Sequence, residues 1–354
     1  MALTSLRQLL DHAAENGYGM PAFNITNLET LQGVMQAAEA TRSPVILQAS
    51  QSARKYCDDV FIKHLFFAAI ERYPHIPVCV HQDHGSSLAV CTAAMDLGFS
   101  SVMMDGSLGE DQKSPSTYEY NAQVTRATSD AAHARGVSVE GEIGVLGSLE
   151  TGTGEKEDGH GIEGTVDKAL LLTDPAVAAR FVLDTNVDAL AVAVGTSHGA
   201  YKFTRRPTGD ILAMDVIEAI HRQLPNTHLV MHGASTIPED LQQLINDNGG
   251  SIPTTFGVPL EEAQRGIRSG VRKINIDTDI RMALTGSMRK YFKENPSSFD
   301  VRALNKPGIA RVKALCAERF ERFGSAGHAD KIVSIPLADM ARRYAPGGSL
   351  AAKS

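Results

Sequence analysis

Eight short runs of apolar and β-branched residues recur along the chain: MPAFNI (20–25), PVILQAS (44–50), PVCVHQDH (77–84), SVMMDG (101–106), VSVEGEIG (137–144), ALAVAVG (189–195), HLVMHG (228–233) and VRKINIDTD (271–279). Runs of this length that close on Gly or polar residues read as strands buried on both faces, as in a parallel sheet. Helical patterns separate them, at 27–42, 58–73, 87–98, 118–136, 174–186, 210–224, 238–250, 259–270 and 280–296. Asn27 stands as an N-cap before the first of these, and Gly98 closes the third. An amphipathic helix pattern also precedes the first run, within MALTSLRQLLDHAAENG. One more helix, 309–324, falls in a C-terminal extension of about 297–354. Eight strands alternating with helices predict a (β/α)8 barrel, an α/β fold, as a single domain over 1–354. An open doubly wound sheet alternates too, but it gathers functional residues at one switch point, whereas here nearly every run ends in a polar residue.

Composition narrows the function classes. The net charge is −7 and no Lys/Arg block exists, which argues against nucleic acid as a partner. No apolar stretch approaches the roughly 20 residues of a membrane span. The N-terminal pattern carries acids and is not a secretory signal. The four cysteines, Cys57, Cys79, Cys91 and Cys316, form no CxxC pair; Cys79 and Cys91 sit in apolar patterns, as reduced core thiols do. A cytoplasmic setting follows.

In a barrel the eight strand ends converge on one mouth, so they are the first place to look for chemistry. They supply Asn24, Ser50, Asp83 with His84, Asp105, Glu142, His198, His232, and Asn275 with Asp277. A lone His at such a position is usually packed or solvated, and His81 is either that or a support for the site. Three at three strand ends, each followed by Gly (Gly85, Gly199, Gly233), are harder to explain that way. Three imidazoles plus an open position make a catalytic zinc site, and zinc there would polarise a carbonyl oxygen. Asp83 beside a ligand is a candidate general acid/base; its bland alternative is the N-cap of the next helix, near Ser86. Asp105 and Glu142 would orient imidazoles, hold a second metal, or merely pair within the mouth. Gly199, Gly233 and Ser235 offer backbone N–H groups at turns, and Asn275, Asp277 and Thr278 lie at the last strand. Loops after strands seven and eight often bind phosphate in this fold, and Lys202 adds a charge. The stretch 144–164 holds seven Gly among several acids. It reads as a surface loop or, placed after the fifth strand, as a lid on which Glu157 or Asp158 moves a proton.

HQDHG, AVAVGTSHGAYK, VMHGAST and KINIDTD, in this order and spacing, resemble the class II, zinc-dependent fructose-1,6-bisphosphate aldolases over about residues 3–325. The loop SLETGTGEKEDGHGIEG and the chain length resemble the Calvin-cycle branch. The resemblance implies a TIM barrel, dimeric or tetrameric, that interconverts fructose 1,6-bisphosphate with dihydroxyacetone phosphate and glyceraldehyde 3-phosphate through a zinc-stabilised enediolate. It assigns zinc to His84, His198 and His232, and a buried second metal position to Asp105 and Glu142. Asp83 would exchange the C4-hydroxyl proton. Glu157 would exchange the proton on dihydroxyacetone phosphate, with Glu155 the alternative because the chain reads Glu155-Lys156-Glu157 where relatives carry a double Glu. Gly199, Lys202, Gly233, Ser235, Asn275, Asp277 and Thr278 match the dihydroxyacetone phosphate pocket, Asn275 beside the enediolate; Asn24 and Ser50 match contacts to the aldehyde-side hydroxyls. Arg302 matches the distal-phosphate residue, in Asp300-Val301-Arg302 where relatives read Asp-Pro-Arg. A monovalent cation, Na⁺ or K⁺, would sit near the first phosphate.

The residues themselves agree with that chemistry. Carbon–carbon cleavage needs an electron sink, either a lysine Schiff base or a metal. Lys202 lies beyond the sixth strand and Lys273 inside the eighth, so the metal is the better sink. Three rivals stand beside this reading. A metal-dependent hydrolase would start on a paired HxH where this chain has Asn24. A non-catalytic sugar-phosphate-binding protein would not need Asp83 and all three His. A tagatose-bisphosphate aldolase, or one also acting on sedoheptulose 1,7-bisphosphate, is not separated by any residue here.

Overall fold

The computed structural model describes residues 2–110, 114–145, 147, 153–154, 164–165, 171–199, 202–207 and 211–351. Eight strands form its barrel: β1 (Met20–Asn24), β2 (Val45–Ser50), β3 (Val78–Gly85), β4 (Ser101–Met104), β5 (Ser138–Ile143), β6 (Ala189–Val192), β7 (His228–Met231) and β8 (Val271–Ile276). Each pairs parallel with its sequence neighbour, and β8 closes on β1 with Ala22 opposite Asn275. This is the expected (β/α)8 barrel, with all eight predicted runs as its strands.

The helices are α1 (Leu6–Asn16), α2 (Leu28–Thr41), α3 (Gln51–Cys57), α4 (Asp59–Arg72), α5 (Leu88–Asp96), α6 (Tyr118–His133), α7 (Pro175–Thr185), α8 (Met214–Gln223), α9 (Glu239–Asn246), α10 (Leu260–Arg268), α11 (Thr278–Glu294), α12 (Val301–Phe323) and α13 (Leu337–Tyr344). Asn27 caps α2 as expected, in a reciprocal capping box with Thr30. The buried stripe Leu6, Leu9, Leu10, Ala13 on α1 follows the helical period. It plugs the lower end of the barrel against Met20, Ala22, Ile46, Cys79, Met103 and Val230.

Four expectations change. Two helices, α3 and α13, carried no separate signal. The helix expected at 309–324 begins at Val301 and runs through Pro307. The sixth run, expected to be extended over 189–195, leaves the barrel sheet after Val192, with Val194 bridging to Leu172 instead, so His198 stands on a loop beyond β6 rather than at a strand end. The Gly-rich stretch contributes a short antiparallel pair, Thr153–Gly154 with Gly164–Thr165; Glu155, Glu157 and Asp158 lie outside the described residues.

Candidate active site

Interior side chains alternate along each strand, so every second residue from a strand end looks into the barrel. At the mouth this brings together Asn24, Ser50, Asp83, His84, His198, Lys202, Gly233, Ser235, Asn275 and Asp277, all lining one cleft. The β2–β3 register sets Ser50 directly beside Asp83.

Asp83 and His84 are successive residues yet both reach the cleft. The reason is local: His84 adopts φ +48°, a left-handed conformation unusual for a residue with a Cβ, and β3 breaks register against β4 between Gln82 and Gly85. Gly85 follows because a Cβ there would lie 2.5 Å from Cys91 Sγ and 2.6 Å from Met103 O. At Gly233, with φ +61°, a Cβ would run into Ser197 O of the neighbouring loop. The glycine after each of these two histidines is thus a packing requirement of the turn. Asp83 is not an N-cap: the cap of α5 is Ser87, which accepts from Val90 N.

The three imidazoles are buried and converge, their ligand atoms lying within 4.8 Å of one another. His84 Nε2 and His232 Nδ1 are 3.0 Å apart. His198 Nδ1 is buried without a hydrogen-bond partner. Buried polar groups are rarely left so, and a converging set of imidazoles with an unsatisfied nitrogen fits a divalent cation. Burial, reinforced by the charge on His84, holds His198 well below its usual range and therefore neutral, as a ligand must be. Burial also disfavours a charge on His84, but Asp83 and Asp105 outweigh it and push that imidazole up to about 10 in the metal-free protein. His84 Nδ1 lies 2.9 Å from Asp105 Oδ2 and 3.9 Å from Glu142 Oε2. His84, Asp105 and Glu142 form a second group with metal-ligand spacing. Burial and the nearby Asp105 raise the Glu142 carboxyl well above the usual range.

Asp83 is held from three sides: Asn24 Nδ2 donates to Oδ2 at 3.0 Å, Gln48 Nε2 to Oδ2 at 3.3 Å, and Asn275 Nδ2 to Oδ1 at 3.1 Å. Burial opposes its charge, but His84, Lys273 and His232 outweigh that and keep the carboxyl far below the usual range. Lys202 Nζ donates to Ser197 O at the cleft wall. Gly199 follows His198 in the left-handed region, and Thr278 is buried behind Asp277 at the start of α11. Arg302 is not part of the cleft. It is 88% exposed on α12, with Nε and Nη2 on its neighbour Asp300 at 3.0 and 2.9 Å.

Four residues of the site escaped sequence reasoning: Gln48, Glu140, Lys273 as a structural partner, and Arg281. Gln48 bridges Asn24 and Asp83. Glu140 and Lys273 meet beneath the cleft at 2.9 Å. Arg281 pairs with Asp277 at 2.6 Å. The first three lie two residues before Ser50, Glu142 and Asn275, so stepping back by two from each strand end would have found them. His81, found that way, is fully buried with Nδ1 on Ser101 Oγ at 2.8 Å.

The chain is similar to known proteins along most of its length. The family model described as "Fructose-bisphosphate aldolase class-II" matches residues 4–328. A protein of Nostoc commune named fructose-bisphosphate aldolase is 61% identical, over 98% of this chain and 97% of its own. One of Synechocystis named fructose-bisphosphate aldolase class 2 is 58% identical over the same shares, 98% and 97%. Among solved structures, the YdjI aldolase from Escherichia coli K12 superposes with a TM-score of 0.70 at 28% identity, over 92% of this chain and 99% of that one. With a family match across nearly the whole barrel and close relatives along the whole length, the chain belongs to the class II fructose-bisphosphate aldolase family.

Proposed function

We propose that the chain is a lyase catalysing the reversible aldol cleavage of fructose 1,6-bisphosphate to dihydroxyacetone phosphate and glyceraldehyde 3-phosphate. The observation that carries this reading is the convergence of His84, His198 and His232 beside an ionised, immobilised Asp83. Family membership narrows that geometry to an aldolase. His84, His198 and His232 would hold Zn²⁺, which supplies a Lewis acid for a substrate carbonyl oxygen.

The chain's own groups account for the remaining work. Cleavage removes the C4-hydroxyl proton as the C3–C4 bond breaks, and Asp83 is the carboxylate placed to take it and to return it in condensation. Asn24, Gln48 and Asn275 fix that carboxylate before substrate arrives, which lowers the cost of orientation. Gly233, Ser235 and Lys202 line the side of the cleft suited to the dihydroxyacetone phosphate end, with Gly199 and Thr278 beside them; Asn24 and Ser50 line the other. Arg281, held beside the cleft by Asp277, is a better-placed cation for the second phosphate than Arg302. Glu157 remains the candidate for the second proton transfer. Four free cysteines fit a reducing, cytoplasmic compartment, and exposed Tyr56, Val60 and Phe61 fit a homodimer contact. A role in glycolysis, gluconeogenesis and the Calvin cycle, with a second divalent position and a monovalent cation, completes the proposal.

The test is a coupled assay on the fructose, sedoheptulose and tagatose bisphosphates. EDTA is expected to abolish cleavage of the fructose compound and Zn²⁺ to restore it. Activity that survives EDTA, with substrate trapped on a lysine by borohydride, would overturn the metal mechanism.

A further inference from the structure

Beneath the cleft lies a buried ion pair that the cleavage chemistry does not use. Glu140 on β5 and Lys273 on β8 are both fully buried, and they meet across the barrel interior, Nζ to Oε2 at 2.9 Å. We propose that this pair is a positioning device: Glu140 sets the metal-facing nitrogen of His232, and Lys273 sets the amide orientation of Asn275. The inference rests on the aldolase reading for its kinetic part only.

A carboxylate only accepts hydrogen bonds, and an ammonium only donates them. Glu140 Oε1 lies 2.7 Å from His232 Nε2, so that nitrogen carries the hydrogen. The lone pair is then left on Nδ1, the atom that faces His84 Nε2 at 3.0 Å. Lys273 Nζ lies 2.8 Å from the Asn275 side chain, and only the amide oxygen can accept from it. The amide NH₂ must therefore turn towards Asp83 and the cleft, where it donates at 3.1 Å. A His tautomer and an amide flip are each two-fold ambiguous in isolation. Here one ion pair resolves both, the tautomer through Glu140 and the amide through Lys273 together with Asp83.

Energetics favour this over a purely structural role. Removing two charges from water costs several kcal/mol each, and an apolar pair of similar volume is often as stable or more so. The layer below shows that apolar residues pack well in this barrel: Ala22, Cys79, Met103 and Val230 fill it. Glu140 also lies 3.5 Å from His81 Nε2, so the pair is the centre of a polar layer between the apolar plug and the cleft.

The test compares the intact protein with Glu140→Leu/Lys273→Met, which replaces both charges with apolar groups and leaves neither unpaired. A second variant, Lys273→Arg, keeps a donor-only cation. Zn²⁺ affinity is read by chelator competition with metal-free protein, kcat and KM for fructose 1,6-bisphosphate at saturating Zn²⁺, and folding by Tm. The apolar double variant is expected to keep its Tm within a few degrees, to bind Zn²⁺ about 10–100-fold more weakly, and to lose kcat at saturating metal by about tenfold or more. Lys273→Arg is expected to keep most of the native kcat. A double variant with metal affinity and kcat both within twofold of the intact protein would overturn the proposal, as would a loss of Tm with neither quantity changed. If the intact protein does not cleave the bisphosphate, the aldolase reading fails instead, and the metal-affinity comparison still decides the role of Glu140.

Discussion

The two ends of the barrel both bury charge, but they treat it differently. At the lower end Asp188 accepts from Tyr344 on Oδ1 at 2.9 Å, and from Val139 N at 2.8 Å and His133 at 3.0 Å on Oδ2, with Arg7 at 3.8 Å. The Tyr344 ring stacks on His133, centroids 3.9 Å apart. Every bond there ties one element to another: α1, β5, α6 and α13 meet on one carboxylate. At the mouth, buried His198 Nδ1 and Glu142 Oε2 have no hydrogen-bond partner, and His84 holds a left-handed backbone conformation. A satisfied cluster stabilises, whereas an unsatisfied and strained one is retained for what it binds. The contrast assigns structure to one end and chemistry to the other.

Substitutions can break that assignment. The largest effect is expected from Asp83→Asn. Turnover should fall about 10²–10⁴-fold, the usual worth of a general acid/base, while bound Zn²⁺ and Tm stay close to those of the native protein. A near-native rate would leave Asp83 without its role. Asp188→Asn should do the reverse. It leaves a cluster partly unpaired and is expected to cost ~3 kcal/mol of stability, read by denaturant unfolding, with kcat per folded molecule unchanged.

The same residue gives a pH signature. Burial resists the charge on Asp188, but His133 and Arg7 outweigh it and hold the carboxyl below its usual value. Its stabilisation is therefore present above the unfolded carboxylate value near 3.8 and lost as pH falls through the lower, folded value. The native protein should lose stability more steeply than Asp188→Asn in that acid range. Equal slopes would remove Asp188 as a charged hub.

A smaller effect sharpens the other end. Zn²⁺ must displace the proton from His84, whose metal-free value is about 10. Zn²⁺ affinity should therefore rise ~10-fold per pH unit through neutral and mildly alkaline pH. A flat profile between pH 7 and pH 9, read by chelator competition, would mean that His84 is already neutral.

The barrel was legible because strands buried on both faces leave apolar runs with little alternation, and this chain has eight of them. The cleft was legible because histidines, carboxylates and turn glycines follow the apolar runs. What escaped has physical reasons. Glu140, Gln48 and Lys273 lie inside runs, where a polar residue looks like an interruption; only the two-residue period marks them as facing the cleft. The positive φ at His84, which lets Asp83 and His84 share a side, is a tertiary outcome with no Gly to announce it. The start of α12 was missed because Pro307 is ordinarily a stop, yet the helix continues through it. Arg302 is assigned by the resemblance, and on this chain it stands exposed beside Asp300, outside the cleft.

On this account the converging imidazoles of His84, His198 and His232 hold a divalent ion. Calorimetric titration of Zn²⁺ into metal-free protein tests it most directly, with the variant His84→Ala/His198→Ala/His232→Ala alongside. One tightly bound ion per native chain, and none in the variant, is the predicted result. Equal binding by both proteins, or none by the native chain, would contradict it.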